Sequence, residues 1–327
     1  MKKQLLSLCS AALCCLTVPA AQAGNLEPAG INLGGTSFFD GFGGTQPGWT
    51  YLGYYQFSNL NHIEDNSGKD SPAFKNPSIE GLVIVNQFAY TTGTTLFDGN
   101  AHLGLTALLP LVRFSTSFDA SSPVKLTSAN GVGDLTFGTY LQFNPVIIHG
   151  RPVFSQRIEL DVVAPVGRYS PSTNINPGSN FWSLVPYWAA TWLPTPRTEV
   201  SWRVNYLYNF ANSSPDALPP TVTNTKAGQA AWVNFTASYA VMPSLNIGLN
   251  GYYFKQLTAD TYHYSNGSTD NGSQFGDTGK TELFAIGPGL FWKQSPTSMW
   301  AANLYFQTQA HNDTRGTVLN IHWTHPF

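Results

Sequence analysis

The sequence predicts an all-β fold: a transmembrane, antiparallel, up-and-down β-barrel of about twelve strands. Three observations predict it. Only 10% of the 327 residues are charged while 14% are aromatic, whereas a soluble domain carries about a quarter charged residues. From Trp49 onward, about twelve segments alternate apolar or aromatic side chains with small or polar ones, the period-2 signature of strands. The connections between them alternate in length, as in outer-membrane barrels with short periplasmic turns and longer external loops.

The chain opens with Lys2 and Lys3, an apolar run from Leu5 to Val18, Pro19 and the triplet Ala21-Gln22-Ala23. This pattern reads as a secretory signal cleaved after Ala23. Cys9, Cys14 and Cys15 are the three cysteines of the sequence, and all would leave with the signal. The exported chain then has no disulfide, thiol nucleophile or Cys-ligated metal. Its 14 Lys+Arg against 18 Asp+Glu, with no basic block, exclude a nucleic-acid partner. No stretch beyond residue 23 reaches 18 consecutive apolar residues, which excludes a helical membrane protein.

The strand segments fall near 49–60, 80–91, 101–113, 133–143, 154–164, 180–192, 198–210, 229–240, 245–257, 281–293, 298–309 and 316–327. Thr198 to Phe210 is the clearest, with Val200, Trp202, Val204, Tyr206 and Tyr208 on one face and Glu199, Ser201, Arg203 and Asn205 on the other. The connections near 61–79, 114–132, 165–179, 211–228 and 258–280 are long and polar, while those near 92–100, 144–153, 193–198, 241–244 and 294–297 are shorter. A soluble sandwich has no reason to sort them.

Trp and Tyr cluster towards strand ends, as at Trp49, Tyr51, Tyr187-Trp188, Trp192, Tyr252-Tyr253 and Trp300, where membrane interfaces favour such rings. The final strand puts Leu319, Ile321, Trp323, His325 and the terminal Phe327 on one face. An alternating last strand closing on Phe327 reads as the signal for the barrel assembly machinery. The expected location is the outer membrane of a Gram-negative bacterium, in contact with its lipid and lipopolysaccharide.

Three stretches carry a family resemblance: Asn32-Leu33-Gly34-Gly35-Thr36-Ser37-Phe38-Phe39, Gly131-Val132-Gly133-Asp134-Leu135-Thr136-Phe137-Gly138, and Ala164-Pro165-Val166-Gly167-Arg168-Tyr169 followed by Gly178-Ser179-Asn180-Phe181-Trp182. In this order they resemble the family of outer-membrane proteins linked to meta-cleavage phenol degradation, over most of the exported chain. The resemblance implies a barrel associated with uptake of aromatic or other hydrophobic compounds, and it supplies no catalytic residue.

With odd strands running outward, the lumen face collects Tyr54, Gln56, His102, Asp134, Tyr140, Arg157, Glu159, Asp161, Tyr187, Glu199, Arg203, Asn205, Trp232, Asn250, Tyr252, Glu282, Asn303, Tyr305 and His322. Tyr and Trp give flat apolar walls with a polar tip, suited to planar solutes. Arg157, Glu159 and Asp161 sit at successive inward positions of one strand, with Glu199 and Arg203 two strands along. They are the candidates for a charged constriction, or for pairs that hold the barrel's shape. Residues 24–47 are Gly-rich and hold Phe38, Phe39 and Phe42. The segment either tucks into the lumen as a partial plug or hangs as a periplasmic tail, and the plug is the expectation because three aromatics are costly to leave wet.

Two chemical readings compete. His263-Tyr264-Ser265-Asn266-Gly267 resembles the His-x-Ser-Asn-Gly of outer-membrane phospholipase A, a lipid-hydrolase motif in which the imidazole activates the hydroxyl. Here it falls in a Gly/Asn/Ser-rich loop with no Asn-centred partner motif. Glu64, Asp65 and Asp70, or Asp260, Asp270 and Asp277, offer carboxylates for Ca²⁺ without an EF-hand's spacing. No metal and no cofactor is therefore expected, and no enzyme. The expected function is passive passage of small aromatic or hydrophobic solutes. The alternatives are a structural or adhesive surface barrel without transport and, third, an outer-membrane lipid hydrolase.

Overall fold

The computed structural model describes residues 31–215, 221–271 and 279–327. The signal sequence and its cleavage after Ala23 lie outside the described residues. The strands are β1 (Gly48–Ile63), β2 (Ser78–Leu96), β3 (Ala101–Ser117), β4 (Gly131–Val132), β5 (Leu135–Phe143), β6 (Val146–Ile148), β7 (Arg151–Ala164), β8 (Ser183–Trp192), β9 (Thr198–Asn209), β10 (Ala211–Asn212), β11 (Val222–Lys226), β12 (Ala230–Met242), β13 (Leu245–Gln256), β14 (Thr261–Tyr264), β15 (Thr269–Asp270), β16 (Glu282–Ser295), β17 (Ser298–His311) and β18 (Thr314–Pro326). Twelve of them form one closed antiparallel barrel: β1 pairs with both β2 and β18, and the path runs on through β17, β16, β13, β12, β9, β8, β7, β5 and β3 back to β2. Closure leaves no unpaired edge, which a bilayer requires.

The barrel is inside-out relative to a soluble protein. Gln142, Asn205, Asn234, Thr236, Asn250 and Asn303 are buried within it, while Leu105, Leu109, Phe137, Ile158, Leu160, Val204, Ile247, Leu249 and Phe306 are exposed on its outer surface. An apolar band of this extent facing water would be an aggregation surface; facing lipid it is the barrel's solvent contact. At one end the band is bounded by stacked rings, among them Trp49 with Tyr90, centroids 4.8 Å apart, and Trp300 with Trp323 at 5.6 Å. Trp323, His325 and Phe327 stack in series along the last strand. The Phe327 N–H donates to the Trp49 carbonyl, tying the C-terminus to the start of the first strand.

The short turns lie at the girdled end, which is therefore periplasmic, and the long loops at the other. One connection on the long side departs from the pattern: β17 and β18 are joined by Asn312-Asp313 alone, with Asn312 in the left-handed region at φ 48°, which Asn tolerates. A second sheet, of β10, β11, β14 and β15, lies in the external loops. Alternation over two to five residues is too short to signal such strands.

Residues 31–47 run through the barrel interior. Their route is fixed by wall amides and hydroxyls: Asn234 accepts from the Gly34 N–H at 3.0 Å, Asn303 Nδ2 donates to Ser37 Oγ at 2.9 Å, and Asn320 Nδ2 donates to the Gly34 carbonyl at 2.8 Å. Further along, Thr191 Oγ1 accepts from the Gly41 N–H at 2.9 Å, while Ser155 Oγ and Gln142 Nε2 donate to the Gly41 carbonyl. A Cβ on residue 41 would stand 2.4 Å from both the Ser155 carbonyl and the Thr191 nitrogen. Only glycine lets the segment lie this close to the wall.

Candidate functional site

The lumen is organised around two arginines. Arg203 of β9 is clamped by Asp40 of the internal segment, Nη2 to Oδ1 at 2.6 Å and Nε to Oδ2 at 2.9 Å. This is the two-pronged geometry that a guanidinium offers a carboxylate. The same guanidinium lies 4.0 Å from the centroid of the Tyr187 ring, and the Tyr187 hydroxyl donates to Glu159. Arg157 is 3.7 Å from Glu159, donates to Gln142 Oε1 at 3.0 Å, and lies 4.2 Å over the Tyr140 ring. The Tyr140 hydroxyl meets Thr91, whose own hydroxyl contacts the Gly44 carbonyl. A continuous chain thus runs from Asp40 to Gly44 through the wall.

Glu199 sits at the start of β9 and accepts from the Phe39 N–H at 2.6 Å, from Ser201 Oγ at 2.5 Å and from Ser238. Asp161 differs from these acids. It is 9% exposed, and its Oδ1 has no hydrogen-bond partner. Phe39 packs at 5.0 Å against Phe291 of β16, and Phe38 and Phe42 complete an aromatic cluster at 6.1 and 6.3 Å.

Between the segment and the wall lies a cavity of about 80 Å³. Its apolar lining comes from Val83, Val85 and Leu108 of β2 and β3 and from Val163 and Val185 of β7 and β8, and its polar lining from Glu159, Asp161, Tyr187, Arg203, Asn205 and Trp232. Tyr54 and Gln56 also line it. Tyr54 stacks on His322 at 4.3 Å and donates to Gln87 at 2.8 Å. Trp232 Nε1 donates to the Asn32 carbonyl at 2.9 Å. Tyr252 and Tyr305 pack edge-to-face at 5.1 Å deep in the interior. Asn250 and Asn303 are buried there too.

Three expected lumen residues are placed elsewhere. Glu282 stands opposite Lys255 in register and pairs with it at 3.1 Å, accepting also from the Tyr253 hydroxyl at 2.6 Å. Its neighbours Leu283 and Ala285 turn inward instead, because Leu283-Phe284-Ala285-Ile286 is apolar on both faces and gives no phase. His102 is at the periplasmic rim, bonded to Asn144 of a short turn at 2.9 Å. Asp134 belongs to the opposite rim, described below. Asn32, Asp40, Gln142, Asn234 and Asn320 are further site residues. Gln142, Asn234 and Asn320 share the inward phase of Tyr140, Trp232 and His322, whereas Asn32 and Asp40 precede the first strand, where alternation gives no phase.

The competing chemistries find these surroundings. His263 and Ser265 lie in the external loop sheet, where the His263 carbonyl accepts from Thr223 and the Ser265 N–H donates to Thr221. Glu64 pairs with Arg315, and Asp70 with His62 at 2.8 Å. His62, Glu64 and Asp70 offer ligand atoms within 4.8 Å of one another. Asp65 is turned instead to Ser67, whose hydroxyl, with the Ser67 and Lys69 N–H groups, holds its carboxyl below the ordinary value. Asp260 accepts from the Gly228 N–H and Gln256, and burial pushes its carboxyl up. Asp270 accepts from the Tyr264 hydroxyl at 2.9 Å, and Asp277 lies outside the described residues.

A family model described as "Putative MetA-pathway of phenol degradation" matches residues 61–322. The chain belongs to this family. Among solved structures, the phenol-degradation family chain is similar to the COG4313 outer membrane channel from Pseudomonas putida F1, at 16% identity and a TM-score of 0.71, over 89% of this chain and 98% of that one. It is also similar to the TodX deltaS2S3 mutant monoaromatic hydrocarbon channel, at 8% identity and a TM-score of 0.47, over 88% and 91%. No curated protein sequence matches it.

Two of the three stretches that carry the family resemblance meet at the outer rim. Asp134 accepts from the Gly167 N–H at 2.8 Å, the Ser179 N–H at 2.7 Å and Ser179 Oγ at 2.5 Å. Cβ atoms on Gly167 and Gly178 would stand 2.8 and 3.0 Å from its Oδ1. This carboxylate clasps both ends of the β7–β8 loop to the barrel rim, and the glycines let its backbone close on it. The third stretch, 32–39, is the internal segment itself.

Proposed function

We propose that this protein is a channel through which small aromatic or hydrophobic solutes cross the outer membrane by diffusion, with residues 31–47 as a partial plug. The observation that carries the reading is the lumen cavity. It joins apolar side chains to tyrosine, tryptophan and polar tips, the composition of a site for planar solutes. The family's link to phenol degradation and the channel nature of the Pseudomonas putida neighbour support it. In this reading the chain is exported, loses its signal after Ala23, and is inserted by the barrel assembly machinery through the strand that ends at Phe327. Its outer band then contacts lipid and lipopolysaccharide.

The dimensions add a condition. About 80 Å³ is roughly half the ~150 Å³ of an apolar cavity that takes up benzene. A passing ring must therefore push part of the internal segment aside. The segment is held by hydrogen bonds and one ion pair rather than by covalent links, so it can yield locally.

The test is flux through the protein in liposomes, comparing a small phenolic, a long-chain fatty acid and a neutral sugar with empty vesicles. Selective phenolic flux is the expected result. Flux equal to empty vesicles for all three would overturn the channel reading in favour of a structural or adhesive barrel.

A further inference from the structure

We propose that Asp161 makes the lumen cavity a binding site for small organic ammonium cations. This goes beyond passage of aromatic or hydrophobic solutes, because it assigns a charged ligand class and the residue that selects it.

Among the described residues, those buried in the barrel below its rims are Asp40, Glu159, Asp161 and Glu199 against Arg157 and Arg203. Each of the other acids is engaged: Asp40 by both prongs of Arg203, Glu159 by Arg157 and the Tyr187 hydroxyl, and Glu199 by its three donors. Both guanidiniums are likewise occupied, each stacked on a tyrosine. Asp161 alone in this set has a buried carboxylate oxygen without a hydrogen-bond partner. Its Oδ1 stands 2.1 Å from where a Cβ on Gly138 would be, so the missing side chain of Gly138 is what gives the carboxylate room.

A buried carboxylate oxygen without a partner, on a side chain that also meets the acid Glu159, is expensive, and the remedy is a cation with hydrogens to donate. No lysine faces the cavity, whose lining is otherwise neutral apart from Glu159 and Arg203. The cation must then come from a solute. Trp232 lines the same cavity, and an indole ring attracts ammonium groups. The apolar wall at Val83 and Val85 receives a short alkyl body. An anion of the same size would meet more acids than free bases, so it is rejected.

The probe set is ethylammonium, ethanol and acetate, titrated against the protein purified in non-ionic detergent and read by saturation-transfer NMR. Ethylammonium is expected to bind about tenfold more tightly than ethanol, with no saturable acetate signal. Asp161→Asn brings ethylammonium to the level of ethanol, and Asp161→Glu retains the preference. Equal binding of ethylammonium and ethanol would mean that Asp161 is a neutral acceptor, and would overturn the proposal. So would tighter acetate binding, or an Asp161→Asn protein that still prefers ammonium. If Asp161→Asn does not refold, the ranking on the unaltered protein decides alone. Because binding is read without transport, failure of the channel reading and failure of this site give different results.

Discussion

The two walls of the lumen are built differently. On the β7–β9 side, Ser155, Arg157, Glu159, Tyr187, Thr191, Glu199 and Arg203 form a polar mesh in which Asp40, Phe39 and Gly41 of the internal segment are caught. On the β2–β3 side, Val83, Val85 and Leu108 face the cavity with no hydrogen bond to offer. The difference teaches where a solute travels. The β7–β9 wall, with Asn234, Asn303 and Asn320 further round the barrel, holds the segment, and the patch at Val83, Val85 and Leu108 is left smooth for the solute of the proposed channel.

Removing the segment breaks the comparison most severely. Deletion of residues 31–44 should turn a weakly conducting pore into one with a steady open level in planar bilayers, and should admit the neutral sugar as well as the phenolic. An unchanged conductance would mean that the segment does not obstruct the lumen. Next, Arg203→Ala leaves Asp40 buried without its partner. Breaking a buried pair of this kind costs about 3–5 kcal/mol, read as a lower urea midpoint for unfolding in detergent and accompanied by higher phenolic flux. Asp134→Ala acts at the rim alone. Each buried donor it strands costs about 1–3 kcal/mol, and the loop at 165–182 should become protease-sensitive while flux is little altered. The smallest effect is expected from Glu282→Gln. Its side chain lies on the outer face beside Lys255, so phenolic flux and its salt dependence should not change. A change would return Glu282 to the lumen.

How much of this could be read from the chain alone follows from the range of each signal. The barrel strands were legible because alternation runs through whole segments such as Thr198 to Phe210, and a one-residue slip would invert every side chain. Arg157, Glu159, Asp161, Glu199 and Arg203 were legible as inward positions for the same reason. Glu282 was not, because it begins a strand whose first residues are apolar on both faces. Asp134 has the residue type of a lumen acid, and nothing local says that Gly167 and Ser179 will fold over it. The pairing of Asp40 with Arg203 spans 163 residues, and no periodicity reaches that far. Phe38, Phe39 and Phe42 gave the only hint, through the cost of leaving aromatics in water, that their segment would be enclosed.

The most direct test of the two-wall account uses the chain's lack of cysteine beyond residue 15. A single Val83→Cys on the smooth wall, with Thr223→Cys in an external loop as control, is labelled by a small water-soluble thiol reagent in the presence and absence of a phenolic solute. The account predicts that the phenolic slows labelling at residue 83 and leaves residue 223 unaffected. Equal rates at residue 83 with and without the phenolic would contradict it.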